Sequence, residues 1–180
     1  MKFILKITDA DIGEKLYEIN NPSIRKAVRT ILINDLGEIA LLHKTKKNEY
    51  KLIGGGVENN ETLEQALKRE ILEEAGCEIS ILNELGYVEE YRTLNNFVQT
   101  SYVYITKVLK DTGKLHLTDK EKAEGSELCW YTPKIALKQI SDSFYKLNNL
   151  PHDNSYGSKM IVKRDFAILK YYIDNNKKEA

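Results

Sequence analysis

The sequence predicts an α/β fold, a mixed β-sheet flanked by helices, and three observations carry that prediction. Segments dense in Val, Ile, Thr and Tyr interleave with segments of helical periodicity, without the regular strand-helix-strand alternation of a doubly wound parallel sheet. A short apolar strand runs through Gly54-Gly55-Gly56 into a capped helix. Near the C-terminus, apolar residues recur with the period of a helix lying on a sheet. With 180 residues, 42% of them hydrophobic and 30% charged, the chain has the length and apolar content to bury one core. It is too short for two independent enzymatic domains. One domain over residues 1–180 is therefore expected, with 1–23 as an N-terminal segment and 141–180 as a C-terminal loop and helix packed on the core.

Each element has a local reason. After the polar N-terminal segment, residues 27–34 and 39–44 are rich in β-formers and flank the turn Asp35-Leu36-Gly37-Glu38, which predicts a hairpin. Residues 50–53 read as a short strand leading into the glycines. Residues 62–75 read as a helix closed by Gly76 just past its last turn. Residues 79–92 and 97–108 form two further strand runs around the turn Thr93-Leu94-Asn95-Asn96. A short strand at 128–131 precedes a helix that opens on Pro133 and covers 133–140. Residues 141–159, polar and interrupted by Pro151, read as a loop before a helix that covers one side of the sheet; the sharper alternative is that this loop, with Tyr145, His152 and Tyr156, reaches a binding site. In the final helix Val162, Phe166, Leu169 and Ile173 fall on one stripe, with Lys159, Lys163 and Arg164 on other faces.

Charge and cysteine usage exclude several function classes. Lys plus Arg and Asp plus Glu both number 27, so no global basic field gathers duplex nucleic acid or anionic lipid. Cys77 and Cys129 belong to no Cys-x-x-Cys pair, which removes a zinc knuckle and a redox dithiol. The apolar start of the chain meets Asp9 and Asp11 too early for a signal-peptide core. A cytoplasmic protein without a membrane partner is the expectation, and a homodimer is compatible with it.

The informative segment is Gly54 to Cys77. Thr62 and Gln65 have the spacing of a capping box, which fixes the phase of the helix that follows. At about 100° per residue from Leu63, Ala66, Leu67 and Ile71 lie near ~300°, ~40° and ~80° and define the apolar arc. On the same count Glu70 lies near ~340° and Glu74 near ~20°, inside that arc, with Glu73 at its margin near ~280°. Charge runs on helices are usually solvated, but here the phase turns the carboxylates inward. They would repel and suffer desolvation unless a cation neutralises them. A buried Arg or Lys is one compensator, but Lys68 and Arg69 sit too far round the helix to neutralise all of them. A divalent metal is the other, and oxygen-only ligands point to Mg²⁺, with Mn²⁺ as the alternative, rather than to zinc. The three glycines let backbone groups approach such a ligand directly.

In register, Gly55, Glu61, Arg69, Glu70, Ile71, Glu73, Glu74 and Gly76 occupy the pattern of a Gly, five free positions, a Glu, seven free positions, then Arg-Glu, an aliphatic, one free position, Glu-Glu, one free position and Gly. This segment resembles the Nudix box; only Cys77 departs, standing where Ile, Leu or Val is usual. The resemblance implies a Nudix-type α/β/α sandwich over residues 24–140 and a divalent-metal-dependent pyrophosphohydrolase. Such an enzyme cleaves a nucleoside diphosphate linked to another moiety, such as a nucleoside triphosphate, by water attack on phosphorus. It implies Glu70, Glu73, Glu74 and the Gly55 carbonyl as metal ligands, an Arg69–Glu61 ion pair holding loop to helix, and Glu70 or a later loop glutamate as base. Glu124 is the first choice for that later residue and Glu121 the second. Catalytic roles thus fall to Glu70, Glu74, Arg69 and Glu124, with a nucleotide-type small molecule as partner.

Two rival readings are set against this one. A Nudix enzyme acting on a sugar nucleotide such as ADP-ribose is disfavoured because no proline lies between Pro22 and Pro133, where many of those enzymes carry a marker. A non-catalytic Nudix-like nucleotide-binding regulator is disfavoured because such proteins commonly lose box carboxylates, and this chain keeps them. Tyr87, Tyr91, Phe97, Tyr102 and Tyr104 read as packing residues of strands, and His43, His116 and His152 as separate surface or hydrogen-bonded histidines.

Overall fold

Residues 1–147 and 152–176 are described by the structure, a computed structural model. Seven strands form its sheet: β1 (Phe3–Thr8), β2 (Ser23–Ile33), β3 (Ile39–Lys44), β4 (Glu49–Leu52), β5 (Cys77–Arg92), β6 (Phe97–Asp111) and β7 (Ser126–Tyr131). Their order is β1-β5-β6-β2-β3-β4, with β7 on β3. The sheet is mixed, as expected: β1 with β5 and β2 with β6 run parallel, and the remaining pairs run antiparallel. Four helices flank it: α1 (Leu63–Ala75), α2 (Asp119–Ala123), α3 (Pro133–Leu147) and α4 (His152–Asn176).

Neighbouring residues of the central strands point to two cores on opposite faces. Ile31, Leu41 and Leu52 pack with Ala136, Ile140, Met160 and Leu169 of α3 and α4. Leu32, Leu42 and Ile53 pack with Ala66, Leu67 and Ile71 of α1. Burial on both faces is why these strands read as continuous apolar runs instead of alternating ones.

The predicted hairpin at 27–44 is corrected. Its turn is present, with the Asn34 side chain accepting from the Leu36 and Glu38 amides. Beyond the Ile33–Ile39 pair the two strands part. β2 instead runs parallel to β6 from Ser23 to Ile33 and accepts the glycine segment on its other edge: the Val28 amide donates to Gly55 O at 2.9 Å and the Thr30 amide to Ile53 O at 3.1 Å. Nor is the N-terminal segment merely polar, since β1 adds a parallel edge to β5 and buries Ile7. Asp9, which follows it, is fully buried and accepts from the Thr93 amide and hydroxyl and from the Tyr156 hydroxyl.

The C-terminal region differs most from expectation. α3 continues to Leu147 and α4 begins at His152, so most of the predicted loop at 141–159 is helical. Its serines misled the reading: Ser143 donates to Gln139 O one turn back and accepts from the Tyr50 amide, and Ser155 and Ser158 are buried in α4. Small hydroxyl residues here are packing residues, not loop formers. Tyr156 is accordingly in the core, Tyr145 is exposed, and the His152 side chain lies outside the described residues. The apolar stripe does pack on the sheet, but Arg164 is not on an outer face. It is fully buried, donating to Asp165 at 2.8 Å and to Glu90 at 3.1 Å.

α1 forms as its ends require. Thr62 accepts from the Gln65 amide while the Gln65 side chain accepts from the Thr62 amide, and Gly76 closes the helix at φ 63°. Thr62→Ala is expected to lower stability by about 1 kcal/mol in urea titration, with the slope of the transition unchanged.

Candidate active site

The site is built where β4 ends, the chain turns through glycine, and α1 returns. Gly54 lies so close to β2 that a side chain there would meet the Val28 carbonyl, and its φ of 134° is open to glycine alone. At Gly55 a Cβ would fall within the Glu70 carboxylate. The glycine run thus brings backbone against an acidic helix at van der Waals range.

Capping fixes the phase of α1, and the phase aims the glutamates. Glu74 is 2% exposed and Glu70 is 9% exposed, with Glu73 at the margin, as the helical count predicts. Both oxygens of Glu74 are engaged: Oε1 by Lys51 Nζ at 2.6 Å and Oε2 by the Gly54 amide at 2.8 Å. Burial raises its carboxyl above the ordinary range against the opposing pull of Lys51. Arg69 staples loop to helix. Its Nε and Nη2 donate bidentately to Glu61 at 2.8 and 3.0 Å, Nη2 reaches Gly56 O at 3.0 Å, and Nη1 reaches Glu70 at 2.9 Å and Glu73 at 3.2 Å. The Arg69–Glu61 ion pair implied by the resemblance is present, and it holds the Glu61 carboxyl below its ordinary value.

Glu70, Glu73 and Glu74 line one cavity of about 420 Å³ together with the Gly54–Gly56 backbone, Arg69 and Glu58. Convergence to single-ion range is not reached. Among the described residues, the only side-chain trio with ligand atoms within 4.8 Å of one another is His43, Glu127 and Cys129, on β3 and β7 outside this cavity. The glutamates share a wall, each held by a cation of the protein itself. As a donor set, three carboxylates and the Gly55 carbonyl are all oxygen and fit a hard divalent cation.

Residues that sequence reasoning missed supply the cations. Arg25, Arg29, Lys44 and Lys51 all line the cavity, as do His116, Thr118 and, from α4, Ile161. Arg29 is 5% exposed and donates to Val28 O at 2.6 Å and Gly55 O at 3.4 Å. Burial and the neighbouring Arg164 lower its guanidinium to about 10. A signal existed: Lys51 interrupts the apolar strand ending at the glycines, and Arg29 interrupts the β2 run.

Of the two loop glutamates the geometry reverses the order. Glu124 follows α2 and turns away to Lys44 at 3.0 Å and Lys47 at 2.8 Å; burial would raise its carboxyl, but the two lysines bring it down to about 2. It does not line the cavity, whereas Glu121 does, held by the Thr118 amide and hydroxyl. None of Tyr87, Tyr91, Phe97, Tyr102 and Tyr104 lines it either. Tyr87 packs on Phe3 and Tyr102, and Tyr104 lies in the α1-side core. His43 pairs with Glu127 at 3.1 Å and stacks on Tyr50.

Comparison with known proteins agrees with this architecture. The chain is 26% identical over 144 residues to the RNA pyrophosphohydrolase of Baumannia cicadellinicola subsp. Homalodisca coagulata, covering 72% of this chain and 89% of that one. The crystal structure of the MutT protein from Methanosarcina mazei Go1 superposes with a TM-score of 0.52 at 19% identity, over 71% of this chain and 94% of that one, and shares the fold. No described helix is long and apolar enough to cross a membrane. The NUDIX domain matches residues 23–148, from β2 past the end of α3 and including the glycine turn, α1 and Glu121, so the chain belongs to the NUDIX domain family.

Proposed function

We propose that the chain hydrolyses a phosphoric anhydride of a nucleotide in a reaction that depends on a divalent cation, Mg²⁺ or Mn²⁺. One observation carries the reading: three α1 glutamates and the glycine backbone share a cavity that Arg25, Arg29, Lys44 and Lys51 also line. The acids suit a metal, and the basic residues suit phosphate. Bound there, a divalent cation neutralises phosphate charge and makes a bound water acidic. The chain's own groups do the rest. Arg25, Arg29 and Lys44 orient the phosphate chain, Arg69 keeps Glu70 and Glu73 facing it, and Glu121 or Glu70 accepts the water proton. The water oxygen bonds to phosphorus, and the bridging oxygen leaves with its electron pair and takes up a proton.

The substrate class follows the relative that is an RNA pyrophosphohydrolase: a 5′-phosphorylated RNA end, or a nucleoside triphosphate with the same phosphate chain. A purely binding role is disfavoured by the retention of Glu70, Glu73 and Glu74.

A screen of pyrophosphate and phosphate release over nucleoside triphosphates, ADP-ribose and 5′-triphosphorylated oligonucleotides tests the reading. Turnover is expected with Mg²⁺ or Mn²⁺ and none with excess EDTA; hydrolysis that survives chelation would sink it. The rate is also expected to rise as the pH is raised from the acid to the alkaline side of neutrality. Burial raises Glu73 and Glu74, and the ionised forms that hold a cation accumulate as pH climbs. A rate that falls across that range would contradict the assignment.

A further inference from the structure

Lys51 stands where no general feature of an anhydride hydrolase requires a lysine. It sits on β4 three residues before Gly54, is 8% exposed, and lines the cavity. Its ammonium contacts Glu74 Oε1 at 2.6 Å while Oε2 is bound by the Gly54 amide at 2.8 Å. Both oxygens of the most buried carboxylate in the cavity thus already face a donor of the protein. A divalent cation bound to Oε1 would stand about 2.0–2.6 Å from that oxygen. An ammonium at 2.6 Å from Oε1 and a dication on the same oxygen would repel each other strongly where solvent screens them little, so each disfavours the other. The other held glutamates differ, since Arg69 spreads over Glu61, Glu70 and Glu73 and, among the described residues, engages Glu70 through Oε1 alone.

We propose that Lys51 is an internal competitor for the divalent cation at Glu74: the metal enters when the ammonium leaves Oε1, and this lysine sets the cation affinity of the site. The proposal rests on the reading of the cavity as a metal site. Two physical consequences follow. Lys51 opposes the effect of burial on Glu74 and holds the carboxylate beside the glycine turn, which preorganises the ligand. It also reduces apparent metal affinity by the fraction of molecules in which the pair is open. The four-carbon stem of lysine allows the departure by side-chain rotation, without movement of β4.

The test is Mn²⁺ binding to the full-length protein without nucleotide, followed by electron paramagnetic resonance at one fixed pH for all variants. Lys51→Gln, whose amide still donates towards Glu74, is expected to bind Mn²⁺ about ten- to a hundredfold more tightly than wild type. Lys51→Arg, which restores the cation, is expected to return to within about threefold of wild type. Equal or weaker binding by Lys51→Gln overturns the proposal even if the wild type hydrolyses anhydrides. Absence of Mn²⁺ binding by every variant overturns it together with the metal-dependent reading. Acetylation of Lys51 by an amine-selective ester, mapped by mass spectrometry on wild type, covers the case in which Lys51→Gln does not fold. Labelling is expected to rise several-fold on adding Mn²⁺, and labelling that is unchanged or lower overturns the proposal.

Discussion

Replacing Glu74 with Gln is expected to lower kcat by more than about 100-fold, because loss of groups that merely orient a metal's ligands already costs about 10- to 100-fold. The substitution is nearly isosteric. Its carbonyl oxygen still accepts from the Gly54 amide, so the glycine turn keeps its anchor. What disappears is the charge that meets both the cation and Lys51. From phase alone, inward carboxylates repel one another, and neutralising one would stabilise the metal-free fold. The structure reverses that sign, since Glu74 is already paired with a buried ammonium and the amide would leave Lys51 uncompensated. Glu74→Gln should therefore melt below wild type in EDTA, and the double variant Glu74→Gln with Lys51→Gln should recover part of the loss while remaining inactive. A Glu74→Gln protein with wild-type kcat would remove this residue from the chemistry.

The contrast between Glu74 and Lys51 shows what a sequence carries and what it does not. The direction of Glu70 and Glu74 was legible because a helix with a fixed start has a fixed phase, and Thr62 with Gln65 fixed the start. The partners of Lys51 and Arg29 were not legible, although both residues stand out as charges within apolar strands. Strands buried on both faces carry no amphipathic signal, so a charged residue inside one says only that it has a partner somewhere. That partner depends on which strand lies alongside, and the parallel pairing of β2 with β6 joins residues more than seventy positions apart. Glu124 and Glu121 illustrate the same limit at short range. Both lie in one short charged stretch, and Lys44 at the end of β3 and Lys47 just beyond it draw Glu124 away. The C-terminal loop was misread for a different reason: buried serines on facing helices have the composition of a linker.

The largest effect on stability is expected at Arg164, in the helix that lies wholly beyond the NUDIX match. Arg164→Met should destabilise the protein by about 3–5 kcal/mol, the range for removing one partner of a buried ion pair. Arg164 is fully buried and bridges Glu90 of β5 to Asp165 of its own helix, and both acids are themselves inaccessible. Without the guanidinium, Glu90 keeps Arg92, while among the described residues Asp165 keeps the Leu52 amide at 3.0 Å and Arg29 at 3.9 Å. For a chain of this length about 2–4 °C of Tm accompanies each kcal/mol, so a fall of roughly 6–20 °C is expected. Because Asp165 binds the end of β4 and faces Arg29, the loss should reach the cavity as well. The Leu52 amide lies two residues before the glycine turn, and Arg29 touches the Gly55 carbonyl. Below its melting temperature the variant should therefore show a raised KM for phosphate-bearing substrate, with kcat changed less. Adding Asp165→Asn and Glu90→Gln removes the stranded charges and should restore part of the stability, since a buried network replaced as a unit is often near neutral. It should not restore KM, because Arg29 then lacks its carboxylate partner. A Tm within about 2 °C of wild type for Arg164→Met would show that this buried network does not hold α4 to the sheet.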